Sequence, residues 1–195
     1  MVLILYFLLL ISCSSESEPG KDIKNYRTEK IGDKLWMAEN LNYDISGSKC
    51  YNNDPANCSK YGRLYDWETA MKACPNGWHI PSVAEWKALV DFVGGTSIAG
   101  RRLKATSGWH SCGKGSSYSY QCEDTYGFSA MPGGIGYSDG KFHDIGDYGY
   151  WWSAEYDDNN SYYQDLNYLS DAAGIYNYYK YGTKSNLLSV RCLKD

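Results

Sequence analysis

The sequence predicts an α+β fold, with helices segregated from a small antiparallel sheet. Three observations carry this expectation: a hairpin signal near the start, a capped helix in the middle, and tyrosine-rich runs near the end. Tyr26 to Ile31 and Lys34 to Leu41 flank Gly32-Asp33, a two-residue turn with glycine first, which suits a hairpin. Trp67, Ala70, Met71 and Cys74 then fall on one helical face, with Asp66 placed to cap the start and Pro75 to stop the helix. Ser82-Val83-Ala84-Glu85 forms a capping box in which the hydroxyl takes an orphan amide and the carboxylate reaches back. Trp86, Leu89, Val90 and Val93 supply the apolar face of this second helix, and Gly94-Gly95 end it. About residues 105–149 are rich in turn formers and lack periodicity, so they read as a long Gly-rich loop. A loop of that length in a compact domain is either functional or poorly ordered. Tyr150 to Ala154, Tyr162 to Tyr168 and Leu187 to Leu193 read as strands, with Tyr176 to Tyr179 as a further one.

The chain has 195 residues, enough for one domain with a sizeable core. Its 19 Lys+Arg against 23 Asp+Glu give a formal charge of -4, which argues against a nucleic-acid partner, since that would want a basic face. With 43% hydrophobic and 22% charged residues it is neither a multi-pass membrane protein nor a disordered chain. The start is different in kind. Met1 to Ile11 is apolar and uncharged, too short to span a bilayer, and suited to the apolar region of a secretory signal. It runs into Leu10-Ile11-Ser12-Cys13, which resembles the bacterial lipobox, in which the cysteine is acylated and becomes the new N-terminus. The pattern departs from that motif in one respect, because no Lys or Arg precedes the apolar run. The expected organisation is a lipoprotein signal peptide over 1–12, a lipidated flexible tether over 13–25, and a folded domain over 26–195. Cys13 is the expected lipid site, and acyl chains there make the membrane a partner. No Asp follows Cys13, so resemblance to enteric sorting rules implies the outer membrane, with the domain at the cell surface.

Cys50, Cys58, Cys74, Cys112, Cys122 and Cys192 remain. An even number in an exported chain reads as a disulfide framework, although spacing does not choose among the pairings that six cysteines allow. Cys50 with Cys58 and Cys112 with Cys122 are close in sequence, which would leave Cys74 with Cys192. Zinc held by His110, Cys112 and Cys122 is the weaker reading, because the chain has no C-x-x-C.

Several segments form a recognisable ordered set. They include Trp36-Met37-Ala38-Glu39-Asn40-Leu41, Tyr61-Gly62-Arg63-Leu64-Tyr65-Asp66-Trp67 and Ala73-Cys74-Pro75-Asn76-Gly77-Trp78-His79-Ile80-Pro81-Ser82. Glu85-Trp86, Tyr126-Gly127-Phe128-Ser129-Ala130, Pro132-Gly133-Gly134, Tyr150-Trp151-Trp152-Ser153-Ala154 and Ser189-Val190-Arg191-Cys192 complete it. Together they closely resemble the Fibrobacter succinogenes major paralogous domain, over about residues 26–195. The resemblance implies an exported, often lipid-anchored protein with no settled biochemical activity. It also implies a C-type-lectin-like fold, shared with formylglycine-generating enzymes: two helices, a small antiparallel sheet and the long Gly-rich loop. In that superfamily a cysteine on the first helix pairs with one on the last strand, which supports Cys74–Cys192.

Chemistry-bearing motifs are sparse. His79, His110 and His143 lie apart without metal-ligand spacing, and no Gly-x-Ser-x-Gly context presents a nucleophile. The formylglycine-generating enzymes use a pair of active cysteines in their C-terminal half, whereas here only Cys192 lies beyond Cys122. Gly133-Gly134-Ile135-Gly136 has no following helix to cradle a phosphate, and Asp157-Asp158-Asn159-Asn160 with Glu155 reads as a solvated acidic turn rather than a calcium loop. No catalytic residue, metal or cofactor is therefore expected. The aromatic excess is the suggestive feature. Strand alternation turns some rings outward, which makes Tyr150, Trp151, Trp152, Tyr156, Tyr162, Tyr163, Tyr178 and Tyr179 candidate binding residues. The expected function is a non-catalytic binding or adhesion module on a surface lipoprotein, for polysaccharide or another surface protein. The alternatives are a structural or assembly component of the envelope, and a degenerate sulfatase-modifying-type enzyme.

Overall fold

The computed structural model describes residues 26–112, 121–157, 160–177 and 183–195. The expected signal peptide and tether, with Cys13, and also Asp158, Asn159, Tyr178 and Tyr179, lie outside those residues. Among the described residues the chain runs β1 (Thr28–Ile31), β2 (Lys34–Met37), α1 (Pro55–Tyr61), β3 (Leu64–Tyr65), α2 (Trp67–Ala70) and β4 (Trp78–His79). It continues through α3 (Val83–Phe92), α4 (Thr96–Leu103), β5 (Ile135–Gly136), β6 (Phe142–His143), β7 (Tyr148–Asp157), β8 (Asn160–Asn167) and β9 (Ala173–Asn177), and ends in β10 (Leu188–Ser189) and β11 (Leu193–Lys194).

Mixed α+β is the observed class. One sheet has the order β1-β2-β11-β4, a second β3-β10-β7-β8-β9, and β5 pairs with β6 in a small hairpin. The β1–β2 hairpin turns at Gly32-Asp33 as expected, with Ile31 opposite Lys34 and Gly32 at φ 66°, a conformation that favours glycine. The second sheet is not wholly antiparallel, because Ser189 on β10 pairs with Trp151 on β7 in parallel. The expected strand from Leu187 to Leu193 divides into two, since β10 belongs to one sheet and β11 to the other. Between them Val190, Arg191 and Cys192 are completely buried, so this crossing is part of the core.

Among the described residues four α-helices replace the expected two. The capping box of α3 is present in full, Ser82 accepting from the Glu85 amide and Glu85 from the Ser82 amide. The α2 helix is a single turn, capped by Asp66 accepting from the Thr69 amide, and the chain leaves it through turns well before Pro75. The α1 helix starts on an Asp54 cap with Pro55 in its first turn, a signal that was present in the sequence. The α4 helix has no side-chain cap and is held instead by tertiary contacts, with Gly100 lying directly beneath the Ala172 carbonyl. The stretch expected as an open loop is pinned where it is described. Trp109, Phe128 and Ala130 are buried, and a Cβ on Gly134 would collide with the His143 carbonyl.

Adjacent residues on a strand face opposite sides, so Trp151 and Trp152 serve two different cores. Trp151 packs with Trp36, Trp86 and Phe128 beneath α3 and α4. Trp152 packs with Met37, Tyr65, Leu188 and Val190. A polar knot lies between the two. The Asn40 side-chain oxygen accepts from Trp151 Nε1 and from the Arg191 guanidinium, both at 2.8 Å, while its amide nitrogen donates to the Tyr61 carbonyl at 2.8 Å. Arg191 also donates to the carbonyls of Met37, Phe128 and Ser129 and lies over the Phe128 ring. No carboxylate touches this guanidinium among the described residues. Carbonyl dipoles stabilise its charge, and burial lowers its pKa.

All three short- and long-range cysteine pairs close as expected: Cys50–Cys58, Cys112–Cys122 and Cys74–Cys192, with Cα–Cα distances of 4.9, 5.8 and 5.9 Å. The last bridge spans 118 residues and the first spans 8. In the chain-entropy account the long closure contributes roughly 5 kcal/mol and the short one roughly 2.5 kcal/mol. Replacing Cys74 and Cys192 by Ser is therefore expected to lower the urea midpoint far more than replacing Cys50 and Cys58. Asn40→Ala removes the acceptor shared by Trp151 and Arg191, and a loss of about 2–4 kcal/mol in the same measurement is expected.

Candidate functional site

The register of β7 and β8 places most of the aromatic candidates. Trp151 and Trp152 have no exposed surface, and the Trp152 indole donates to the Tyr65 carbonyl at 2.7 Å. These two rings belong to the core, and a ligand on the outside does not reach them. The same alternation that makes a strand present rings outward turns these two inward, because both faces of β7 are covered. Tyr163 is also buried, opposite Trp152. Tyr150 is half-buried: it stacks on Tyr148 with ring centroids 5.4 Å apart, meets Tyr163 edge-on at 5.7 Å, and donates its hydroxyl to Asp144 at 3.1 Å. Burial and the neighbouring Asp144 charge push its hydroxyl pKa well up. Tyr162 is half-buried on β8, opposite Asn177.

Tyr156 behaves differently. The β7–β8 pairing shifts register between Trp152 and Tyr156, and this irregularity re-aims the strand end. Tyr156 is 57% exposed. Its ring centroid lies 5.0 Å from that of Trp67, with the two planes at 62°. The Lys184 ammonium sits 3.8 Å from the Tyr156 centroid and 4.7 Å from the Trp67 centroid. The backbone fixes this corner from three sides. The Trp67 amide donates to the Lys184 carbonyl at 2.9 Å, the Trp67 indole donates to the Ser153 carbonyl at 3.0 Å, and the Glu155 carboxylate accepts from the Val83 amide at 2.7 Å. Met71, one turn after Trp67, extends the exposed surface. Trp67 reads from sequence as part of a helical face, and Lys184 carries no signal there. Nothing local to either residue signals that a strand end from elsewhere completes their corner.

His79 bridges Glu85 and Asp195, His110 meets Asp147, and His143 packs on Tyr137, so the histidines are dispersed. Among the described residues no three His, Cys, Asp or Glu side chains are placed to hold a metal ion. A cavity of about 420 Å³ lies against α3, α4 and the β8–β9 pair, bordered by Lys87, Asp91, Thr96, Asn167 and Ser170. A second of about 370 Å³ is bordered by Tyr26, Glu39, Asn42 and Lys60.

One buried acid stands apart. Asp165 lies opposite Tyr150 and is only 9% exposed, and its Oδ1 has no hydrogen-bond partner. Burial pushes this carboxyl up to about 7, against a weaker opposing pull from its own backbone amide. A carboxyl with a raised folded pKa holds its proton more tightly when folded. Stability therefore falls as pH rises from about 4 to about 7 and levels off above that. Asp165→Asn is expected to flatten this slope and to stabilise the protein at pH 8 by up to about 4 kcal/mol, read from urea unfolding at several pH values.

The comparisons with known proteins give one positive result. The Fibrobacter succinogenes major domain matches residues 30–194, which is most of the chain. No curated protein and no solved structure matches. The matched span contains β2, every helix, the Asn40–Arg191 knot and the Trp67–Tyr156–Lys184 corner. The chain therefore belongs to the Fibrobacter succinogenes major domain family.

Proposed function

We propose that this protein is a non-catalytic binding or adhesion module, with a C-type-lectin-like domain displayed on a lipid anchor at the outer surface of a bacterial cell, and that it binds polysaccharide. The observation that carries the reading is the accessible Tyr156 ring, braced against Trp67 and topped by an ammonium. Aromatic side chains offer a rigid, amphipathic face at low entropic cost, and the apolar face of a pyranose is complementary to it. A neighbouring cation supplies hydrogen-bond donors for sugar oxygens. The anchor rests on the apolar start and Cys13, and the three disulfides fit an oxidising compartment.

Two measurements test this. Mass spectrometry of the mature protein is expected to find an acylated Cys13 as the first residue; an unmodified Met1 would remove the anchor. Pull-down on insoluble polysaccharides together with a glycan array is expected to give binding that Tyr156→Ala weakens about tenfold, the equivalent of roughly 1.4 kcal/mol. Silence on every glycan would remove the carbohydrate reading.

A further inference from the structure

We propose that the Trp67–Tyr156–Lys184 corner selects acidic sugars: a uronate residue lies on the exposed Tyr156 ring and places its carboxylate on the Lys184 ammonium. The inference rests on the reading of this corner as a sugar contact and adds the charge of the ligand to it.

The argument starts from the state of Lys184. Three surface lysines have carboxylate partners: Lys34 with Glu85, Lys87 with Asp91 and Lys141 with Asp139. Lys184 has none among the described residues, and its ammonium contacts two aromatic rings instead. A ring quadrupole attracts a cation without neutralising it, so the formal charge stays available to an anion. The lysine is also held in place. Its carbonyl is fixed by the Trp67 amide, and the next turn is closed by the Asn186 amide donating to the Thr183 carbonyl at 2.8 Å. A flexible lysine normally loses side-chain freedom when it binds; here the two rings have already ordered much of it. The ammonium covers one face of the Tyr156 ring, and the residue is still 57% exposed, so a sugar takes the ring surface left open and meets the charge at its border. A neutral pyranose would use the ring and, at the ammonium, hydrogen bonds to uncharged oxygens only. A uronate uses the charge as well, since it carries a carboxylate on an otherwise similar ring. The net charge of -4 means that the molecule as a whole does not attract polyanions, so such binding has to come from a local site.

The test uses the intact chain in detergent, titrated calorimetrically with oligomers of galacturonate, glucuronate and mannuronate, and with neutral cello- and xylo-oligosaccharides. At least one oligouronate is expected to bind at least about tenfold more tightly than the neutral oligomers, and the binding is expected to weaken as salt rises. Lys184→Gln should remove that preference, Lys184→Arg should keep it within about threefold, and Tyr156→Ala should weaken every sugar that binds. Both side chains are on the surface, and an unchanged thermal melt confirms that each variant is folded. Equal affinity for neutral and acidic oligomers, or full oligouronate affinity in Lys184→Gln, would overturn the inference while leaving the glycan-binding reading in place. Failure of every oligosaccharide to bind would overturn both.

Discussion

The rest of the structure depends on the passage of the chain end through its own interior. Ser189, Val190, Arg191 and Cys192 cross from one sheet to the other with no exposed surface. Each step of that crossing is satisfied by a different part of the chain. The Leu41 amide donates to the Val190 carbonyl, the Met37 amide to the Cys192 carbonyl, and Cys74 closes on Cys192. Arg191 is the costly member. An isolated buried charge is strongly destabilising, and this one is retained because carbonyls of Met37, Phe128 and Ser129 and the Asn40 amide oxygen surround it. Those acceptors come from β2, from the chain just beyond it, and from the segment before β5. One side chain therefore fixes the relative placement of pieces far apart in sequence.

That placement explains why the accessible surface lies where it does. β7 is clasped on both faces, Trp151 on one side and Trp152 on the other, with both indoles hydrogen-bonded inside. Only past the register shift does the strand run free of the core and present Tyr156. Glu155 ties this free end to the start of α3, and Trp67 and Lys184 wall it. The exposed Trp67–Tyr156–Lys184 corner is thus an extension of a rigid element, which keeps its rings preorganised.

Much of the local architecture was legible in the sequence. Gly32-Asp33 specified the first hairpin and Ser82 with Glu85 the start of α3, because each signal is complete within a few residues. The cysteine pairings were also within reach once spacing was combined with family resemblance. What escaped depends on distant partners. Strand alternation cannot tell that both faces of β7 are covered, so Trp151 and Trp152 read as candidates for the surface. No periodicity reveals that Leu187 to Leu193 serves two sheets, since β10 and β11 pair with strands far apart in sequence. Lys184 carried no signal at all, because its significance is the position of two rings from other segments.

Native-state hydrogen exchange tests the central claim most directly, namely that the crossing of the chain end holds the two sheets as one unit. The amides of Met37 and Leu41, which bond to the Cys192 and Val190 carbonyls, should exchange only through global unfolding and share the highest protection in the molecule with the core of β7. If those amides exchanged through a cheaper local opening while β7 stayed protected, the chain end would be an appendage to an independently stable domain and the account would be contradicted.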